Sequence, residues 1–431
     1  MVTNRINRDW LERHGSSYRA IIQPDFLASD DPWFRPVDIK LGPDGALYVA
    51  DFYNRIIGHY EVPLTHPGRD HDHGRIWRIV YKGEGGDRNP RPPRRDWTKA
   101  TVSELIEDLA YPNLTVRMKA TQQLVERGGG EAASAVHSIM GAASSPWQRM
   151  HGLWVLERLG SLDDATLAKA AADPDAGVRV HAMRVLAERP RISGSLRELL
   201  VGSLRDADAF VQRGAAEALG THPHPANIRP LLDLRHRVPE DDTHLLHMVR
   251  MALRDQFQAP GAWQGLPLAT FTERDDAAMA DVAPGAHTPS AARFLVDYLQ
   301  RRDVSGGDEW RYVLHIARYG DPETIHSLLQ YALGSRPDDL MHQAALLRAL
   351  SQGMEERGQR LEFQSRSRDG HDDQLVAEAQ RVTGARTKRA AIETALEELV
   401  RRHKAAELAK LAGRIPIRLT QRSLRAMRTG R

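Results

Sequence analysis

The chain reads as a mainly α protein, an α-solenoid preceded by one small antiparallel β-sheet, and three observations predict this. One helical pattern recurs: Asp173 to Leu186 runs DPDAGVRVHAMRVL and Asp206 to Leu219 runs DADAFVQRGAAEAL, with VRMKATQQL and QRMHGLWVL upstream. The anchor positions Arg117, Arg149, Arg179 and Gln212 lie 32, 30 and 33 residues apart, a period that fits stacked two-helix units. Residues 1 to 82, in contrast, carry short β-branched and aromatic runs separated by turn residues, the pattern of strands.

Taken in order, strands are expected at Tyr18–Gln23, Val37–Leu41, Ala46–Ala50 and Arg75–Tyr81, with Gly42-Pro43-Asp44-Gly45 as a hairpin connection. Four such strands make one sheet of the size of a single β-propeller blade, leaning on the first helices. Tyr48, Trp77 and Tyr81 are expected in its core. The opening stretch MVTNRINRDWLERHG has no apolar run and does not read as a signal peptide. The loop from Asp51 to Gly74 holds Asp51, His59, His66, Asp70, His71, Asp72 and His73. His71 and His73 alternate on one side of an extended chain, so Asp51, His71 and His73 form a candidate metal set. The competing reading, which we prefer, is a solvated loop whose Asp and His side chains bind backbone N–H groups.

Residues 83–99 read as a linker, with Arg88, Arg91, Arg94 and Arg95 solvated. Repeats are expected over 100–257, starting with Ser103 as N-cap and Leu105, Ile106 and Leu109 as a buried face. Ala120, Gly152, Ala182 and Ala215 hold one small-residue position where helices approach closely, Asp173 caps the helix after it, and Trp147 and Trp154 are core. His244 and His247, at i and i+3 beside Asp241 and Asp242, are read as interior or capping residues in preference to metal ligands. Residues 258–289 form an irregular connection, 290–385 further repeats, and 386–431 basic helices, including an amphipathic one at Ala390–Ala412. Arg414, Arg418, Arg422 and Arg425 recur at three- or four-residue steps there. They are candidate interaction residues; a solvated face is preferred to a phosphate-facing stripe, because no aromatic is interleaved for stacking.

Composition narrows the function. The 60 basic and 57 acidic residues give a net charge of +3, and there is no cysteine, which excludes disulfides, cysteine-ligated zinc, iron–sulfur centres and thioether haem attachment. No stretch approaches the ~20 apolar residues that span a membrane. Nor is there a nucleophile elbow, a phosphate-cradling glycine loop or a general base with a partner.

The repeat units resemble HEAT repeats. RPVDIKLGPDGALYVADFYNRIIGHYE and DHDHGRIWRIVYKG, spanning Phe34 to Lys82, are similar to the last propeller blade of glucose/sorbosone-type and putative membrane-bound dehydrogenases. That resemblance implies a quinone-dependent sugar-dehydrogenase-like parent, in which PQQ or calcium would belong to blades upstream, and a periplasmic setting. One blade cannot close a propeller, so the chain itself is expected to bind no cofactor and to act as a HEAT-repeat scaffold with a protein partner on its concave face. The alternatives are part of a sugar or alcohol oxidoreductase, or nucleic-acid binding through the basic C-terminus.

Overall fold

The computed structural model describes residues 4–359 except 57–60, 85–90, 142–143, 265, 267–269, 305–306 and 337, and beyond 359 only residues 381 and 384. Arg414, Arg418, Arg422 and Arg425, and the helix expected at Ala390–Ala412, lie outside the described residues. The chain divides into two units, residues 1–291 and 292–431.

The first unit opens with two antiparallel sheets among the described residues, where the sequence suggested one sheet of four strands. Strands β1 (Arg5–His14) and β2 (Ser17–Ala28) form a long hairpin, bulged between Ile6 and Arg8. Gly15, at φ +54°, turns its corner. β1 has no counterpart among the expected strands, because RINRDWLERH is too charged to signal one. Strands β3 (Pro36–Leu41), β4 (Leu47–Asp51) and β5 (Arg75–Ile79) form the second sheet in that order. The predicted Gly42–Gly45 turn joins β3 to β4, with Gly45 at φ +81°. Asp44 rigidifies it by accepting hydrogen bonds from the Ala46 amide, the Tyr48 hydroxyl and the Arg78 guanidinium. The two sheets meet at Ile6, Phe34 and Val49, backed by Leu27 and Ile79, beside a cavity of about 310 Å³. This contact is small, so Trp77 and Tyr81, expected in the core, are exposed.

The supposed linker is structured at its end. Arg94 lies between Glu104 and Asp108, at 2.7 Å from each, and Trp97 is buried with its indole N–H on Asp108. The first helix, α1 (Val102–Asp108), starts two residues earlier than Ser103 predicts. Thr101 is its N-cap, in a reciprocal capping box with Glu104.

From here helices alternate between two rows. The odd row holds α1, α3 (Gly129–Ile139), α5 (Asp164–Ala171), α7 (Gly194–Ser203) and α9 (Ile228–Arg235). The even row holds α2 (Leu114–Arg127), α4 (Pro146–Arg158), α6 (Ala176–Glu188), α8 (Ala209–Thr221) and α10 (Thr243–Gln258). Each even helix packs on the next even helix and on its odd partner, which is the predicted solenoid. Ala120, Ala182 and Ala215 are fully buried as expected. A Cβ added at Gly152 would stand 2.9 Å from the Met140 sulfur, so that position tolerates nothing larger than glycine without displacement.

The connection expected to be irregular over 258–289 contains a helix, α11 (Glu273–Val282). Thr272 caps it, and Asp275 both closes the capping box and accepts a bidentate pair from Arg229 (2.8 and 2.7 Å) and a hydrogen bond from His236 (2.7 Å). That network ties α11 to α9 and holds the Asp275 carboxyl far below the usual range, the Arg229 hydrogen bonds contributing most.

The division falls within α12 (Pro289–Arg301), which is followed by α13 (Gly307–Tyr319), α14 (Pro322–Gly334) and α15 (Leu340–Glu356), close to the predicted bounds. A Cβ on Gly353 would meet Ala317 Cβ at 2.5 Å, so this mid-helix glycine permits the close approach of α13 and α15. Buried Glu309 accepts from the Tyr331 hydroxyl at 2.7 Å and lies 3.2 Å from His342, joining the same three helices.

Candidate interaction surface

The repeat register places the same chemistry at the start of each even helix. The N-caps of α2, α4, α6 and α8 are Asn113, Ser145, Asp175 and Asp208, each accepting a backbone N–H. Four residues beyond them stand the anchors Arg117, Arg149, Arg179 and Gln212, and two residues before them Tyr111, Ala143, Asp173 and Asp206. Asp173 is therefore not the cap of α6. It sits two residues earlier, accepts the Asp175 amide (2.9 Å), and receives a bidentate pair from Arg149 of the preceding repeat at 2.7 and 2.8 Å. Arg179 reaches Asp206 in the same way, at 2.8 and 2.9 Å. Arg179 and Gln212 also donate to the carbonyls of Asp173 and Asp206, six residues back. The result is a ladder of arginine–aspartate rungs between successive repeats, with Arg149–Asp173 nearly closed to solvent.

The exposed side of the even row presents a different stripe. On α4 it is Trp147, His151, Trp154 and Arg158, spaced three or four apart. Trp147 is 40% exposed, not core, and Leu114 and Met118 on the adjacent helix α2 are exposed at 51% and 55%. The Arg117 guanidinium lies 4.6 Å from the centre of the Trp147 ring. Its Nε donates to His151 Nε2 (3.3 Å), and its Nη1 to the carbonyls of Tyr111 and Pro112. Trp154 is partly buried, and its indole N–H donates to His181 Nδ1 at 2.8 Å. Burial and the neighbouring positive charge of Arg117 push the His151 pKa down to about 4; burial, with Arg184 nearby, does the same for His181. Both rings are therefore neutral at physiological pH.

The β-module meets the even row at two places. Asn113 and Thr115 donate to the carbonyls of Gly42 and Leu41 at 2.7 and 2.6 Å. The β1–β2 corner sits on α8 and α10: Ser16 donates its amide and hydroxyl to Asp242, at 2.7 and 2.8 Å, and Arg13 pairs with Asp208. Tyr18 packs on Phe210 with centroids 5.1 Å apart.

The sequence-derived metal set does not assemble. Asp51 is buried, and its oxygens accept from the Arg35 and Tyr53 amides (2.8 Å each) and the Trp77 indole (2.9 Å). Asp70 gathers the Asp72 and His73 amides and the His73 ring, while the His71 side chain stands exposed. Among the described residues no three His, Asp or Glu side chains converge on a metal position. His244 and His247 are exposed on α10, neither interior nor capping; the cap is Asp242. Among the described residues no helix is long and apolar enough to cross a membrane.

Three family models match parts of the chain: a domain of unknown function, DUF7133, over residues 1–83; HEAT repeats over 164–245; and the bacterial antitoxin of type II toxin–antitoxin systems, VapB, over 372–411. None of these family descriptions names a dehydrogenase. No curated protein matches the chain. Similar solved structures include an engineered protein (19% identity, 58% of this chain and 78% of that one, TM-score 0.30) and a designed armadillo repeat protein (17%, 58% and 98%, 0.24). A second designed armadillo repeat protein, in complex with a (KR)4 peptide, is 17% identical over 58% of this chain and 100% of its own, with a TM-score of 0.26. The array from α5 to the start of α10 thus carries recognisable HEAT repeats, on a chain whose first 83 residues match a separate domain.

Proposed function

We propose that the chain is a protein-interaction scaffold and that its partner lies along the exposed side of the even row, around Leu114, Met118 and Trp147. The observation that carries this reading is the exposure of those three large apolar side chains together on adjacent helices, since contiguous exposed apolar surface marks an interaction site. The face is rigid: its helices are held by the ladder behind it and by the β-module at α2, α8 and α10. The small residues Ala120, Ala182 and Ala215 are buried where even-row helices pack, and on this reading the partner-binding side is the concave one.

Service to an oxidoreductase remains a second reading. It is favoured by the β-module, whose Val37, Ile39, Leu41 and Trp77 are exposed along the second sheet as if further β-structure covered them. The dehydrogenase resemblance rests on this module alone.

Photo-crosslinking tests the scaffold reading. A photoreactive side chain at Met118 is expected to trap a defined partner in the source cell, whereas one at Glu198, exposed on odd-row α7, is not. Equal trapping from both positions would refute the assignment of the even row.

A further inference from the structure

The ladder has one incomplete rung. Arg149 and Arg179 each hold the aspartate that stands two residues before the next even helix's N-cap, Asp173 and Asp206. Arg117 occupies the same anchor position in the first repeat, but the residue in the matching place is Ala143, and the whole stretch Gly141-Ala142-Ala143-Ser144-Ser145 contains no acid. Among the described residues Arg117 forms no ion pair with a carboxylate. Its partners are two carbonyls, a neutral histidine and the face of Trp147. Burial alone moves its pKa, and moves it down, as partial desolvation does to a cation.

Resting on the scaffold reading, we infer that Arg117 is the recognition point for an acidic side chain of the partner, an aspartate or glutamate flanked by apolar residues. The partner's carboxylate does for Arg117 what Asp173 and Asp206 do for Arg149 and Arg179. The flanking apolar side chains cover Trp147, whose ring lies against the guanidinium, and the exposed Leu114 and Met118 of the same helix as Arg117. Complementarity is thus of charge at the centre and of apolar surface at the rim. The desolvated guanidinium favours a carboxylate over an amide of the same shape, because charge-assisted hydrogen bonds are the stronger ones.

The test uses the full chain and a dye-labelled peptide of alternating aspartate and leucine, capped at both ends, with binding followed by fluorescence anisotropy. The wild-type chain is expected to bind it about tenfold more tightly than the matching asparagine–leucine peptide. The asparagine–leucine peptide with a free C-terminus is expected to gain nothing, which separates a side-chain carboxylate from a terminal one. Arg117→Gln is expected to abolish the preference. Ala143→Asp restores the acid that the sequence register carries at Asp173 and Asp206, so it is expected to abolish the preference while raising the melting temperature, which keeps the test independent of any folding defect in Arg117→Gln. Equal affinity of the two capped peptides for wild type, no binding of either, or a preference that survives both substitutions overturns the inference. If both peptides bind equally and Trp147→Ala weakens both, the surface reading stands and only the carboxylate falls; if Trp147→Ala changes neither, the surface reading falls with it.

Discussion

Two neutral histidines make the array's stability depend on pH in a calculable way. His181 Nδ1 accepts the Trp154 indole N–H, and His151 Nε2 accepts the Arg117 Nε–H. Neither donor can turn into an acceptor, so protonating either ring sets N–H against N–H. In the unfolded chain each histidine takes its proton near pH 6.5, and in the folded one only near 4. Between those values the unfolded chain binds more protons. Their contribution is therefore whole above pH 6.5 and drains away as the pH falls to about 4. A displacement of that size is worth roughly 3 kcal/mol per histidine, of which about 2 kcal/mol is lost by pH 5. Urea unfolding at a series of pH values measures the loss. The variant carrying His151→Gln and His181→Gln is expected to lose about 4 kcal/mol less than wild type between pH 7.5 and 5. Equal slopes in the two proteins, or NMR titration of either ring near pH 6.5, would refute the reasoning.

Further outcomes follow from the same geometry. Asp173→Asn strands the Arg149 guanidinium in a nearly closed site and is expected to cost about 3–5 kcal/mol in urea unfolding. Asp206→Asn, whose rung is more exposed, is expected to cost less, about 1.5–3 kcal/mol. Ala182→Leu overpacks a fully buried contact and should cost about 1–3 kcal/mol; an unchanged midpoint would remove the repeat register. Gly15→Val places a side chain against Asp242, whose Oδ2 lies 2.4 Å from where the Cβ would stand. Faster hydrogen exchange at the Ser16 amide, with α4 and α6 unaffected, is the expected result. Added calcium or zinc is expected to leave the melting temperature unchanged, whereas a metal site filled at 100 times its dissociation constant would add about 2.7 kcal/mol.

The repeat period placed Arg117, Arg149 and Arg179 correctly because a stacked array must repeat its contacts in sequence. It did not disclose their partners. Asp173 reads as a cap because Asp-Pro-Asp is a cap-forming turn, and only the three-dimensional stacking of repeats shows that Arg149, 24 residues earlier, claims it. Trp147 reads as core for a related reason. Helical spacing shows which residues share a face but not which face has a neighbour, and the side chain next to Trp147 is a cation lying over its ring. Helix α11 was hidden by its flanks, rich in proline, glycine and alanine, although Thr272 and Asp275 spell a capping box that would have announced it. Asp51 shows what the sequence leaves out: it shares one polar loop with His71 and His73, but the Arg35 and Tyr53 amides and the Trp77 indole occupy its oxygens.

The β-module is where sequence and structure diverge most, and one chain of contacts explains why. A two-stranded ribbon cannot bury either of its faces alone, and β1 and β2 leave Trp10, Leu11 and Ile22 exposed. What fixes the ribbon is its corner, where Ser16 is fully buried and Asp242 accepts three hydrogen bonds, two from Ser16 and one from the Leu245 amide. Asp242 thus caps α10 and anchors the hairpin with the same carboxylate. Arg13 does the corresponding thing at Asp208, the cap of α8, while Asn113, the cap of α2, donates to Gly42. Residues that cap helices therefore serve a second purpose, joining the first 83 residues to repeats 71 to 226 residues away. Because those joints lie at α2 on one side and at α8 and α10 on the other, α4 and α6 are spanned by the module, and the surface around Trp147 is held between fixed points. A partner that docks there meets helices whose spacing is already set, and it does not have to supply the ordering free energy itself.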